Sequence, residues 1–268
     1  MMENEGTKKD VIASVVKAVR ILNCFDLMHK ELSLAEITKL TGYPKTTTFG
    51  FVNTLLKENL LARSAKSDTY TLGARLMELA YFTKASLPII QIATPAMNRL
   101  NAQSGQNVYL TTHMLGRVLF LESYYRDREY IGYSEAGKTL PMHCTASGKA
   151  MLSYMTPEQV ELILDTHPLK PSGRNTITDR DELKAELKRT RERGYAIDNE
   201  EEDLGVKCVA VPVLNQQGEP VGAISLSGSA TLMPDEKMPE FYQMMSAQLT
   251  ILRLNAGLFP YQYLPPKE

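Results

Sequence analysis

The chain has 268 residues, 43% apolar and 23% charged, enough for two domains and without the roughly 18-residue apolar run a membrane span needs. Its N-terminal stretch MMENEGTKKD lacks the apolar centre of a secretory signal, and Cys24, Cys144 and Cys208 are odd in number and far apart. Both features argue against a disulfide scaffold and for a cytoplasmic protein. The net charge of −1 hides an asymmetry: residues 1–77 hold 11 Lys and Arg against 8 Asp and Glu, a net of +3, whereas the rest carries −4. That sign suits an N-terminal part that meets phosphate.

The first ten residues are polar and expected to be unstructured. From Val11 to Leu27 apolar residues recur at helical spacing (Val15, Ala18, Val19, Leu22, Phe25), which predicts an amphipathic helix. Ser33 and Glu36 have the spacing of a capping box, opening a short second helix that Gly42 ends. Pro44 then suits the start of a third helix, to about Glu58. Two short helices around a glycine-containing turn make a helix-turn-helix. Leu60–Arg63 and Tyr70–Leu72, with the polar turn Ser64–Asp68 between them, read as a β-hairpin, or wing. The first 77 residues are therefore read as a winged helix-turn-helix domain, residues 78–95 as a linker helix broken near Pro88, and residues 96–268 as a second domain.

Beyond Gly105 the pattern turns to strands at Val108–Met114 and Val118–Tyr124 around Leu115-Gly116-Arg117. Helices follow at about Ser147–Tyr154, Pro157–Asp165 and Arg180–Arg193. Strands come next, at Tyr195–Ile197, Val206–Leu214 and Pro220–Leu226, the last two joined at Gln217-Gly218, then a helix over Asp235–Leu254. Strands paired, interrupted by helices and paired again predict an α+β domain with a mainly antiparallel sheet.

A recognition helix over Lys45–Lys57 would present Lys45, Thr46, Thr47 and Thr48 at its N-terminal end, with Asn53 further along, Arg63 and Lys66 on the wing, and Ser33 opening the preceding helix. Hydroxyls, amides and the positive helix terminus there suit DNA phosphates and base edges. The alternative is a merely solvated polar face.

The run Ser33-Leu34-Ala35-Glu36-Ile37, then Thr41-Gly42-Tyr43-Pro44-Lys45-Thr46-Thr47 and Tyr70-Thr71-Leu72-Gly73, resembles the DNA-binding domain of the IclR family of transcriptional regulators. In the C-terminal half, Gly137–Ala150, Ile177-Thr178-Asp179, Arg193–Glu201, Gly205–Ala210 and Ala223–Gly228 match family segments in the same order, so the resemblance spans roughly residues 11–255. It implies a GAF-like α+β effector domain, a dimer that can pair into tetramers, double-stranded operator DNA as partner, and control of a catabolic operon, more often as repressor. It further implies a small carboxylate or aromatic acid as effector, held by Ala146, Ser147, Asp198, Cys208, Ser225 and Ser227. The chemistry agrees: amides at the start of a helix near Ser147 can receive a carboxylate, and Ser225 and Ser227 share a strand face. One departure is Phe49-Gly50-Phe51, where many members carry a long polar residue in the recognition helix; the Gly also costs about 1 kcal/mol of helix propensity against Ala.

Other classes fit less well. His143-Cys144 suggests a thiol nucleophile with its base, yet on an extended strand neighbouring side chains face opposite ways. Ser147-Gly148-Lys149 lacks the earlier glycine of a phosphate loop, since position 143 is His143. No closed zinc spacing occurs, although His113, His143 and Cys208 could converge on an ion. Cys208 has an equal reading as a small buried residue, Asp198 as a loop acid, and His143 as a structural anchor for the loop before Ser147. No cofactor is expected. A winged helix can also serve protein partners instead of DNA.

Overall fold

A computed structural model describes residues 11–126 and 135–260. The expectation for the first ten residues concerns positions outside that range. The chain divides between Ala85 and Ser86 into two compact units.

The first unit holds α1 (Ala13–Leu22), α2 (Leu34–Thr41), α3 (Lys45–Lys57), the hairpin β1 (Leu61–Arg63) and β2 (Tyr70–Leu72), and α4 (Arg75–Ala85). The α2 capping box is complete: Ser33 accepts from Glu36 N–H, and the Glu36 carboxylate accepts from Ser33 N–H at 2.7 Å. Gly42 closes α2 in the left-handed conformation, φ 69°. The first helix is shorter than its periodicity predicts. Beyond Asn23 the Asp26 carboxylate accepts from the N–H groups of Met28 and His29, a local turn that competes with helix, while Phe25 still reaches the core. Ile21, Ile37, Val52, Leu55, Leu61 and Tyr70 form that core, and Leu32 bridges to Tyr70 beside the wing. Gly73 is fixed by close approach, because a Cβ there would stand 2.0 Å from the Asn59 carbonyl oxygen.

The second unit begins with α5 (Pro88–Ser104), so the stretch 78–95 takes in the end of α4, the division at Ala85, and the first turns of α5, where Ile89, Ile90 and Ala93 are buried. Six antiparallel strands follow in the order β5-β4-β3-β8-β7-β6, namely β3 (Asn107–Met114), β4 (Arg117–Tyr124), β5 (Thr139–Pro141), β6 (Ala196–Asn199), β7 (Val206–Leu214) and β8 (Pro220–Ser229). The β3–β4 turn places Leu115 and Gly116 at φ 51° and 76°, the twist a two-residue hairpin favours. Helices α6 (Ala146–Leu152), α7 (Pro157–Thr166) and α8 (Arg180–Arg193) come between β5 and β6, and α9 (Met238–Leu254) lies between 3-10 turns at Asp235–Lys237 and Ala256–Leu258.

Alternation along the strands divides the sheet's side chains. Val108, Leu110, Val209, Val211, Ile224 and Leu226 pack with α5 and α9. On the other face Val118, Phe120 and Ala223 pack with residues of α6, α7 and α8. Ala146 and Ala150 of α6 meet Ala196 and Ala210 of the sheet, a contact of small residues that lets the helix come close. Gly148 takes this furthest, since a Cβ there would lie 2.2 Å from the Met142 carbonyl oxygen. Gly148→Ala is therefore expected to cost about 1–3 kcal/mol through forced backbone movement; a urea midpoint equal to that of the parent chain would remove this account of the close approach.

Candidate functional site

The α3 surface follows its helical phase. Lys45 and Thr46 are exposed, Thr47 and Asn53 half-buried, and Phe49 and Gly50 complete the outer face. Thr48 is a correction to the predicted DNA-facing set: it is fully buried, and its hydroxyl donates to the Pro44 carbonyl at 3.2 Å. It lies on the inward stripe with Val52 and Leu55, and so turns away from any external ligand. On the wing Lys66 is exposed, while Arg63 lies 3.7 Å from Asp68 and 5.6 Å from the centre of the Tyr70 ring. Ser33 spends its hydroxyl on the α2 cap.

In the second unit a cavity of about 290 Å³ is lined by the sheet face under α6, and all six predicted effector residues (Ala146, Ser147, Asp198, Cys208, Ser225, Ser227) stand on its wall. Register explains the gathering. Asp198 of β6 pairs with Cys208 of β7, Cys208 with Ser227 of β8, and Ser227 with Asn107 of β3, so four polar side chains form one row across the sheet. One step along, Ser225 lies between Ala210 and Tyr109. The Cys208 thiol donates to the Ser227 hydroxyl at 3.1 Å. Above them Thr145 caps α6 by accepting from Gly148 N–H at 3.2 Å, and Ala146 and Ser147 of its first turn line the wall.

The cavity also gathers residues that the sequence did not single out. Tyr109, Phe120 and Leu140 supply apolar surface; Lys138 supplies a cation; Glu135, Glu202 and Asp203 supply carboxyls. Lys138 lies 3.1 Å from Glu135 and 5.8 Å from the centre of the Phe120 ring. Desolvation works against its charge, but Glu135 first, then Glu202 and Asp203, outweigh it and hold the ammonium charged. Burial pushes the Asp198 carboxyl up to about 7, against the Glu201 N–H that donates to it at 2.8 Å. Burial, then Asp203, likewise pushes Glu202 up to about 7. Lys138 and Leu140 carried an advance signal, lying within the Gly137–Ala150 segment; Glu202 and Asp203 sat in an acidic run with the look of a solvated loop.

The enzyme and metal readings fare differently from their premises. His143-Cys144 is in a turn, not on an extended strand. Burial raises the Cys144 thiol to about 11, and His143 Nε2 is 3.0 Å from the Lys170 carbonyl oxygen, an anchor for this loop. His113 and His143 are not among the cavity-lining residues, and no three His, Cys, Asp or Glu among the described residues are grouped to hold an ion. No helix among them is long and apolar enough to cross a membrane.

Behind the wall lies an ion pair. Lys149 of α6 and Glu201 are 1% and 6% exposed and in direct contact, and Asn199 N–H also donates to the same Glu201 oxygen at 3.3 Å.

The profile of the IclR helix-turn-helix domain matches residues 14–65, and that of the bacterial transcriptional regulator IclR C-terminal domain matches residues 82–249. The chain is 31% identical over 244 residues to the HTH-type transcriptional regulator XynR of Escherichia coli, covering 91% of this chain and 97% of that one. It is 25% identical over 236 residues to the transcriptional repressor IclR of the same organism, covering 87% and 86%. Its fold is shared by an IclR homologue from Microbacterium hydrocarbonoxydans crystallised with 4-hydroxybenzoate, at a TM-score of 0.71 and 24% identity over 90% of this chain and 100% of that one.

Removing one partner of the buried pair leaves the other charge without compensation. Lys149→Met is expected to destabilise the second unit by about 3–5 kcal/mol, and the double variant Lys149→Met/Glu201→Leu to recover most of the loss. Equilibrium unfolding of the three proteins checks this; a double variant no better than the single would mean the pair is not what Lys149 requires.

Proposed function

The chain belongs to the IclR family of transcriptional regulators, a family of DNA-binding proteins and not of enzymes, and from that membership we propose an effector-responsive repressor of a catabolic operon. In this reading α3 enters the major groove of a palindromic operator and a small carboxylate or aromatic acid occupies the cavity. The observation that carries it is the cavity itself, a half-open polar wall of the start of α6, Lys138, Ser225 and Ser227 with the Tyr109 and Phe120 rings beside it. Such a wall suits an acid with an apolar or aromatic body. The Microbacterium homologue's 4-hydroxybenzoate and the repressor named among the relatives support both halves.

A palindrome calls for a two-fold protein, with recognition helices about one helical turn apart. Exposed apolar side chains support self-association: Val15 and Val19 on α1, and Met77, Tyr81 and Phe82 on α4, a helix with no buried residue. A dimer, or a pair of dimers forming a tetramer, would cover them.

Fluorescence anisotropy on the chain's own upstream DNA, against a scrambled duplex and across a salt series, tests the regulator. Preference for the native duplex that persists as salt rises is the expected result; equal weak binding to both would favour a winged helix that serves a protein partner. Lys45→Ala should weaken operator binding and flatten the salt slope by about one, with the melting temperature unchanged. The double variant Ser225→Ala/Ser227→Ala should keep operator affinity and lose the response to acids; a normal response would sink the assignment of the cavity.

A further inference from the structure

The cavity is short of positive charge. Asp198 from β6, Glu202 and Asp203 from the loop after it, and Glu135 from the segment before β5 all line it, against one lining cation among the described residues, Lys138. Lys138 is already paired with Glu135. Lys149 of α6 lies behind the wall, committed to Glu201, with Glu186 of α8 as a further acid in its field. The other elements facing the cluster bring no charge: the Cys208 thiol on β7, whose proton desolvation holds, the serines of β8, the Tyr109 phenol on β3, likewise held protonated by burial, and Phe120 on β4.

With all four acids ionised, the wall would carry three negative charges in excess, and an ionised effector would add another. Like charges gathered on one partly buried wall repel, and a carboxyl among them keeps its proton instead. Asp198 and Glu202 are the two whose environment already favours the neutral form. A neutral carboxyl is also a hydrogen-bond donor, the one thing an ionised acid wall cannot offer a carboxylate ligand.

We propose that an acid effector enters this cavity together with one proton from solvent, held on Glu202 within the cluster of Asp198, Glu202 and Asp203, and that this neutral carboxyl donates a hydrogen bond to the effector's carboxylate. Glu202 thereby sets specificity for acids, and no bond of the effector changes. The proposal rests on reading the cavity as an acid site.

Isothermal titration of the full chain with 4-hydroxybenzoate, lactate and succinate, from about pH 5.5 to 8.5 and in two buffers of different ionisation heat, tests it. The carboxylates of 4-hydroxybenzoate and lactate stay ionised through that range, and both of succinate's do above about pH 6.5, so from there upward the protein alone supplies the pH dependence. Affinity should be level below about pH 7 and fall about tenfold per unit above it, with about one proton taken up per ligand at the higher pH. Glu202→Gln, neutral at every pH, should retain affinity at high pH and lose most of the proton uptake. This is the decisive variant, because Asp198→Asn would also disturb the contact with Glu201 N–H. Acid binding with a flat pH profile and no proton uptake overturns this proposal alone; no acid binding at any pH overturns the acid reading with it. A Glu202→Gln profile like that of the parent removes Glu202 from the role.

Discussion

A lysine amino group with 1% exposure is tolerable only beside a counter-charge, because an isolated ammonium in such a place would lose its hydration for nothing. Lys149 therefore dictates where Glu201 must be, and much else follows from that. The Glu201 carboxylate accepts from Asn199 N–H, its own N–H donates to Asp198, and its carbonyl accepts from the Thr176 hydroxyl and Gly173 N–H. One pair thus ties α6, the end of β6 and the 173–176 segment together. Its consequence is placement more than net stability, since a buried pair of this kind does little better than apolar side chains of the same volume.

With α6 so held, the antiparallel register does the rest. Side chains on adjacent strands stand directly opposite, so Asp198, Cys208, Ser227 and Asn107 become neighbours although up to 120 positions separate them in sequence. The small residues Ala146, Ala150, Ala196 and Ala210 bring helix and sheet together on one side of that row, and the polar wall lines open space on the other. A one-residue slip of β8 would turn Ser225 and Ser227 into the apolar layer under α5 and α9. Ile224 and Leu226, firmly in that layer, oppose such a slip.

Elements with chemistry at both ends were legible in the sequence. Helix α8 begins after Asp179, which accepts from Asp181 and Glu182 N–H, and ends at Gly194 with φ 84°, and its bounds coincide with those read from the residues. The shorter α1 was not legible, because the periodicity of Phe25 reflects a buried side chain on a turn and not another helical turn. Strand β5 is three residues long and contains a proline, too little pattern to stand out against a loop. For Thr48 the signal existed: Thr48, Val52 and Leu55 share an i, i+4, i+7 stripe, so its inward phase outweighs its polar side chain. The six cavity residues came from family resemblance combined with strand alternation. Glu202 came from neither, and Lys138 only as a member of a family-like segment, since nothing local in a sequence shows that a loop after one strand folds over a segment before another.

The same layout bears on how an effector could be felt elsewhere. Asn107 and Tyr109, two walls of the cavity, are on β3, whose opposite face bears Val108 and Leu110 in the layer with Ile89, Ile90 and Ala93 of α5. Helix α5 begins at Pro88, three residues beyond the end of α4 at Ala85, so a strand that lines the cavity packs on the helix that continues the chain from the first unit. Close-packed interiors do not deform continuously, and a ligand can bias two arrangements only by the difference in its affinity for them. An effector that merely fills the cavity equally well in both arrangements would change nothing, however tightly it bound. The discriminating contacts must therefore be those whose geometry depends on where β3 and α6 stand relative to each other. Asn107 on β3 and Ala146 and Ser147 on α6 line the cavity from those two elements.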